Sequence, residues 1–268
     1  MNARPLGRTG QSVSPVSFGA FKIGRNRGIK YPTPYPLPTD AEADQLLNAA
    51  LDAGVTLIDT APAYGVSEAR IGRFVAHRRS EYTLCTKVGE RWGLTPSGET
   101  ASRYDYSRTA IYSSVVKSLR TLKTDAVDLL LIHSDGRDAY IQNETDAVAT
   151  LLDLKRRGVC RAVGLSGKTP TGCAQALNWA DVVMVEYHAD DTSHAAVMAE
   201  ADRRGVGVLV KKALAAGRHD PAEAVRFGLD GPGVSSLVIG TASAANLRAN
   251  VAAAEQYEPT AAPVRAAA

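Results

Sequence analysis

Three ionisable residues close apolar runs in this chain. Leu57-Ile58 leads into Asp59, Leu84-Cys85-Thr86 into Lys87, and Leu129-Leu130-Leu131-Ile132 into His133. Each has an ordinary explanation when taken alone. An aspartate at a strand end commonly starts a turn or caps a helix, a lysine there is solvated, and a lone histidine is a satisfied structural group. On successive strands of one parallel sheet, however, neighbouring strands stand only ~5 Å apart, so the three side chains would converge over one mouth. A lysine at an apolar mouth needs a counter-charge, which Asp59 supplies. Tyr64, in the segment after Asp59, reaches the same cation. A free phenol titrates near ~10. A neighbouring ammonium is expected to lower that value and make Tyr64 a usable proton donor, so the set points to acid–base chemistry.

Positioning these groups requires a regular march of elements. Strands are predicted at Val16–Gly19, Val55–Ile58, Tyr82–Lys87 and Asp128–His133, then at Arg161–Ser166, Val182–Tyr187, Gly207–Lys211 and Ser236–Gly240. A helix capped by Thr39 or Asp40 shows Ala43, Leu46, Leu47, Ala50 and Leu51 on one face, and Gly54 ends it. Further helices are predicted at Ser67–His77, Ser107–Leu122, Glu144–Arg157 and Thr171–Asn178, and at Ser193–Arg204, Pro221–Gly228 and Ala244–Ala254. Strand–helix alternation demands parallel strands joined by right-handed crossovers. An open doubly wound sheet would satisfy the pattern, but eight full units in 268 residues favour an α/β fold of the closed (β/α)8 TIM-barrel type. A short N-terminal β-hairpin is expected around Gly7–Gly10. Tyr31–Pro38 and Gly89–Asp105 read as loops, and one domain is expected over 1–268, with 259–268 a poorly ordered tail.

Composition narrows the class. A formal charge of +3, without a Lys/Arg block, is no nucleic-acid footprint. Cys85, Cys160 and Cys173 are too few and too scattered for a disulfide or zinc framework, and no Cys/His cluster has metal-ligand spacing, so no metal is expected. No signal core and no apolar run of ~18 residues is present, so a soluble, cytoplasmic protein without a membrane partner is expected. Asp135 and Asp138 are expected to solvate a loop. Phe21, Trp92, Tyr104 and Tyr187 line a pocket or fill the barrel rim.

The stretches Leu57-Ile58-Asp59-Thr60-Ala61-Pro62-Ala63-Tyr64-Gly65, Thr86-Lys87 and Leu130-Leu131-Ile132-His133 resemble the aldo-keto reductase superfamily. So do Gly164-Leu165-Ser166, Val185-Glu186-Tyr187-His188, and the segment from Val238-Ile239-Gly240-Thr241 to Asn250. The resemblance runs in order over nearly the whole chain. It implies an oxidoreductase that reduces an aldehyde or ketone to an alcohol by hydride transfer from a nicotinamide cofactor. Tyr64 would be the proton donor, Lys87 held by Asp59 would tune it, and His133 would orient the carbonyl. The family leans to NADP, with NAD as the other possibility.

The resemblance also implies cofactor contacts at Gly19, Ala20, Ser166, Met184, Lys211, Lys212, Leu214, Gly240, Thr241, Asn246 and Asn250. Several depart from the family's pattern. Gly167 stands where an asparagine is expected, Met184 for a glutamine, and Lys211 for an aromatic. Gly240-Thr241 replaces a Lys-Ser pair and Asn246 an arginine that Arg248 could replace. Backbone amides opening the last helix can still hold phosphate. Lys211 and Lys212 are solvated, or one faces inward to the cofactor's pyrophosphate or to the substrate. Two other functions fit the same barrel: a non-catalytic nicotinamide- or partner-binding relative, and a Schiff-base lyase or aldolase using Lys87, Lys211 or Lys212.

Overall fold

A computed structural model describes residues 1–29, 35–94 and 99–258. The tail at 259–268 and part of the Pro-rich stretch at 31–38 lie outside the described residues. The strands in chain order are β1 (Arg4–Pro5), β2 (Ser12–Val13), β3 (Val16–Gly19), β4 (Leu57–Asp59), β5 (Thr83–Val88) and β6 (Glu90–Leu94). There follow β7 (Thr100–Tyr104), β8 (Val127–His133), β9 (Cys160–Ser166), β10 (Val182–Glu186), β11 (Gly207–Lys211) and β12 (Val234–Gly240). The helices are α1 (Asp40–Asp52), α2 (Ser67–Phe74), α3 (Arg108–Leu122), α4 (Asp138–Glu144) and α5 (Ala147–Arg156), then α6 (Pro170–Ala176), α7 (Ala195–Arg204), α8 (Pro221–Leu229) and α9 (Ala244–Glu255).

The strands β3, β4, β5, β8, β9, β10, β11 and β12 pair in that order, each parallel to the next, and β12 pairs with β3 to close the barrel. The expected (β/α)8 architecture is the observed one. Side chains alternate across each strand, which divides the apolar residues into two sets. Leu57, Cys85, Leu129, Leu131, Ala162, Val182, Met184, Leu209 and Val238 fill the interior of the barrel. Ile58, Leu84, Leu130, Ile132, Val183 and Val210 face outward and pack beneath the helices.

The N-terminal hairpin joins the inner set. β1 and β2 pair antiparallel, and Leu6 and Val13, both fully buried, cluster with the barrel interior at its N-terminal end. Gly7 makes this contact possible. Its φ is +54°, and a Cβ there would lie 2.3 Å from the Gly207 backbone nitrogen, so only glycine lets the hairpin sit against the start of β11.

Helix starts follow the residues that can satisfy free N–H groups. Thr39 caps α1, and its side chain and that of Glu42 complete a capping box. Ser107, Thr169, Asp220 and Ser243 cap α3, α6, α8 and α9. Three elements differ from the sequence expectation by more than a two-residue shift of an end. The predicted helix over Ser67–His77 stops at Phe74, and a 3-10 segment over Ala76–Glu81 continues it. The predicted helix over Glu144–Arg157 is two helices, because Thr145 is extended and its hydroxyl donates back to the Ile141 carbonyl. The expected loop over Gly89–Asp105 contains the antiparallel pair β6–β7, in which Glu90 faces Tyr104 and Trp92 faces Ser102. Among the described residues no helix is long and apolar enough to cross a membrane.

Candidate active site

Period-two alternation carries the inner core directly into the polar mouth. Two positions after Leu57 comes Asp59, two after Cys85 comes Lys87, and two after Leu131 comes His133. On the other side of the barrel, the same step leads from Leu209 to Lys211 and from Met184 to Glu186. The C-terminal end of the barrel is therefore a ring of polar groups seated on an apolar floor.

Lys87 and Asp59 meet as the sequence predicts. Lys87 Nζ donates to Asp59 Oδ1 at 2.5 Å and to the Thr60 carbonyl at 3.0 Å, with 1% and 4% of the two side chains exposed. Burial, the largest single influence, would lower the Lys87 pKa, but Asp59, Tyr64 and Cys85 together outweigh it and hold the ammonium above its ordinary value. Tyr64 lies in the 3-10 turn Pro62–Tyr64 that follows β4, with its ring centre 4.8 Å from Lys87 Nζ and 5.8 Å from the His133 ring. Phe21 packs edge-on against Tyr64 at 5.0 Å. Lys87 lowers the Tyr64 pKa as expected, but the net shift is the opposite of the one expected. Burial raises it by more than the Lys87 charge lowers it, so the phenol stays protonated well past neutrality.

His133 has a partner that the sequence did not reveal. Its Nδ1 lies 2.8 Å from Glu90 Oε2, an ion-pair distance without the alignment of a regular hydrogen bond. Ser102 Oγ donates to Glu90 Oε1 at 2.5 Å, and Arg25 Nη1 stands 4.0 Å from the same oxygen. Burial opposes the Glu90 charge, but His133, Ser102 and Arg25 together hold its pKa down at about 2. Burial, reinforced by the charges of Lys87 and Lys211, keeps His133 below its usual value despite Glu90, so the imidazole is neutral at pH 7. The guanidinium of Arg25 also stacks over Trp92 at 4.6 Å and faces Phe21 at 5.7 Å. Phe21 and Trp92 thus flank the mouth, whereas Tyr187 stacks on Phe227 and Tyr104 on Tyr106.

The cofactor positions implied by resemblance fall into two groups. Gly19 pairs with Gly240 and Asp59 across the barrel seam, Ala20 is buried just beyond, and Thr241 Oγ1 accepts from the Ser243 amide. Asn246 is exposed in the first turn of α9, Arg248 is exposed on the same helix, and Asn250 is buried with its Oδ1 unpartnered.

In the second group, Lys211 Nζ donates to Ser166 Oγ at 3.1 Å and to the Gly167 carbonyl at 2.7 Å. An asparagine at 167 has no space, since a Cβ there would lie 2.3 Å from Cys173 Sγ. Met184 is buried in the interior beside Ser166. Leu214 is half-buried where the 3-10 turn Ala215–Gly217 starts. The two lysines separate: Lys211 turns inward, while Lys212 is exposed and pairs with Glu186.

Asp138 also departs from expectation. It is 1% exposed and accepts from Ser134 Oγ, from the backbone amides of Lys168 (2.9 Å) and Thr169 (2.6 Å), and from Thr169 Oγ1 (2.7 Å). It therefore ties the segment after β8 to the segment after β9. No loop-solvating role is left for it.

The sequence model of the aldo/keto reductase family matches residues 15–224. The chain belongs to the aldo/keto reductase family. A solved aldo-keto reductase of Pseudomonas aeruginosa is similar with a TM-score of 0.85 and 42% identity, covering 95% of this chain and 94% of that one. L-galactose dehydrogenase of Arabidopsis thaliana is 25% identical over 95% of this chain and 88% of its own length. The 6-dehydroglucose reductase of Novosphingobium aromaticivorans is 32% identical over 65% of this chain and 54% of its own length. The matched region spans about half the length of several curated relatives, 55% and 56% in two more cases. The family's relatives named here are oxidoreductases.

Proposed function

We propose that the polar mouth interconverts an aldehyde or ketone and the corresponding alcohol, with NADP as the hydride carrier and Tyr64 as the proton donor to the substrate oxygen. The observation that carries this reading is the buried Lys87–Asp59 pair set against the Tyr64 ring, with a neutral His133 beside it. A phenol kept protonated by burial, next to a fixed ammonium, can release its proton as negative charge grows on a nearby oxygen and regain stabilisation from Lys87. A neutral His133, with Nδ1 turned to Glu90, would offer Nε2 to the substrate. The nicotinamide, when bound, supplies or accepts the hydride.

The chain's own residues fit such a group. Asn250 presents a buried, unpartnered Oδ1, and the Gly19–Gly240 seam has no side chain to obstruct it, a Cβ on Gly240 meeting only the Gly19 carbonyl at 3.3 Å. Ser166 and Lys211 would hold the carboxamide, with Lys211 standing in for the missing asparagine side chain. Arg248, exposed near Asn246, favours NADP over NAD. The charged groups at the mouth, together with relatives named as sugar dehydrogenases and a dehydroglucose reductase, support hydroxylated aldehydes and sugars as the substrate class.

The test is NADPH oxidation and NADP reduction against aldehydes, ketones, sugars and alcohols, repeated with Tyr64→Phe. The variant should bind NADPH normally, as read by fluorescence titration, and lose roughly 10²- to 10⁴-fold in turnover. Wild-type turnover in the variant would sink the assignment. One observation favours a second reading: burial and the neighbouring lysines lower the Lys211 pKa to about 8, which suits a Schiff-base nucleophile. Borohydride trapping with a ketone substrate separates the two, because only a Schiff base leaves a reduced adduct on Lys211.

A further inference from the structure

The rim of the barrel carries a second cluster of chemistry-bearing side chains that the proposed reaction does not use. His188 and Asp190 lie in the tight turn after β10, where the backbones of His188 and Asp191 bond to each other in both directions, at 3.1 and 2.9 Å. His219 arrives from the segment after β11, beyond the 3-10 turn Ala215–Gly217. One donor atom from each of His188, Asp190 and His219 lies within 4.8 Å of the other two.

Hydrogen bonding inside the protein does not account for this grouping. His188 is 4% exposed, and its Nδ1 is buried without a partner. Its other nitrogen, Nε2, faces Glu186 Oε1 at 3.4 Å. Nε2 of His219 is buried too, and although it stands 2.9 Å from Asp190 Oδ2 it makes no regular hydrogen bond. Leaving such nitrogens unsatisfied costs about 1–3 kcal/mol each. An imidazole with one nitrogen against a carboxylate and the other free is the arrangement that metal-binding histidines adopt, since the carboxylate fixes the ring and raises its basicity.

We infer that His188, Asp190 and His219 bind a divalent transition-metal ion of the zinc class, with solvent completing the coordination. Two imidazoles and one carboxylate suit zinc, and bonds of ~2.0–2.2 Å in a tetrahedron set the donor atoms about 3.3 Å apart. The present limit of 4.8 Å means the two segments close by no more than about 1.5 Å. Nearby charges allow this. Lys212 is neutralised by Glu186, and Arg218, at 3.9 Å from Asp190 Oδ2, has 59% of its side chain exposed and can swing into water. The ion would clasp the segment after β10 to the segment after β11, which the described residues otherwise join here through weak exposed pairs.

Titration of the untagged, chelator-dialysed chain with Zn(II) and Co(II) tests the site directly and needs no turnover. One equivalent should bind per chain, Co(II) should give the visible absorption of a four- or five-coordinate nitrogen–oxygen site, and Zn(II) should raise the Tm. Asp190→Asn and His219→Ala alter partly exposed side chains and should fold normally while weakening binding tenfold or more; His188→Gln should do the same. Arg218→Ala should bind several-fold more tightly, and His77→Ala should bind as the native chain does. Absence of stoichiometric binding at 100-fold excess of metal would overturn the site. So would binding that survives the combined loss of His188 and His219.

Discussion

Lys87 and Lys211 sit at the same level of the barrel, each two residues beyond an inner core position, yet their charges are treated in opposite ways. Lys87 has a carboxylate at 2.5 Å and its pKa is raised. Lys211 has only a hydroxyl and a carbonyl on its nitrogen, and its pKa falls to about 8. Depth alone does not set the state of a buried lysine. A charged partner turns it into a fixed cation, and neutral partners leave it adjustable near physiological pH. One side of the mouth thereby holds a fixed charge, and the other holds one that can change near physiological pH.

The largest expected effect comes from unpartnering Lys87. Asp59→Ala should cost about 3–5 kcal/mol in chemical denaturation, because it strands a buried ammonium. Adding Lys87→Met should restore much of that loss. A double variant as unstable as the single one would show that Asp59 contributes by packing, and the contrast with Lys211 would fail.

The next effect is a pH dependence. Lys211 is depressed in the fold, so below about pH 8 both folded and unfolded chains carry its proton and the full penalty is present. Between about 8 and the ordinary value of 10.5 the unfolded chain binds more protons, so stability gains with rising pH. Relative to Lys211→Met, the native chain should therefore gain roughly 1–2 kcal/mol between pH 7.5 and 10.5, less than full burial would give, since part of the side chain meets solvent. A flat difference would mean the lysine is already neutral or well solvated at pH 7.5.

Much of this contrast is legible in the sequence. The barrel strands are short apolar runs on both faces, so a polar residue at a run's end stands out, as Asp59, Lys87 and His133 do. Register could also have assigned Lys211 inward and Lys212 outward, by counting in twos from Leu209. Glu90 left no such signal. It belongs to β6, where Glu90-Arg91-Trp92-Gly93 has neither an apolar run nor clean alternation, and its partner His133 is brought to it only by the fold. Asp138 was hidden for a related reason, because the backbone amides it accepts from, at Lys168 and Thr169, follow a different strand. The cluster of His188, Asp190 and His219 joins residues from two separate segments and has no spacing to detect.

Smaller effects sharpen the comparison at its edges. Glu90→Gln removes the group that raises His133 and should move the imidazole pKa further down, as followed by NMR titration, with kcat lowered about tenfold. An unchanged His133 titration would show that the 2.8 Å approach carries no charge coupling. Lys212→Ala should change stability by less than about 0.5 kcal/mol, since its pair with Glu186 is exposed to water. A loss comparable to that at Lys211 would erase the distinction between the two neighbours.

The hairpin seated under the barrel has a consequence for traffic. With Leu6 and Val13 filling the lower end beneath the inner apolar set, the described residues leave no passage through the barrel, so a reactant at the Lys87 pair would enter and leave over the C-terminal rim. If the proposed cofactor and substrate share that rim, their comings and goings are coupled. In the proposed reaction the guest seated deeper would then arrive first and depart last.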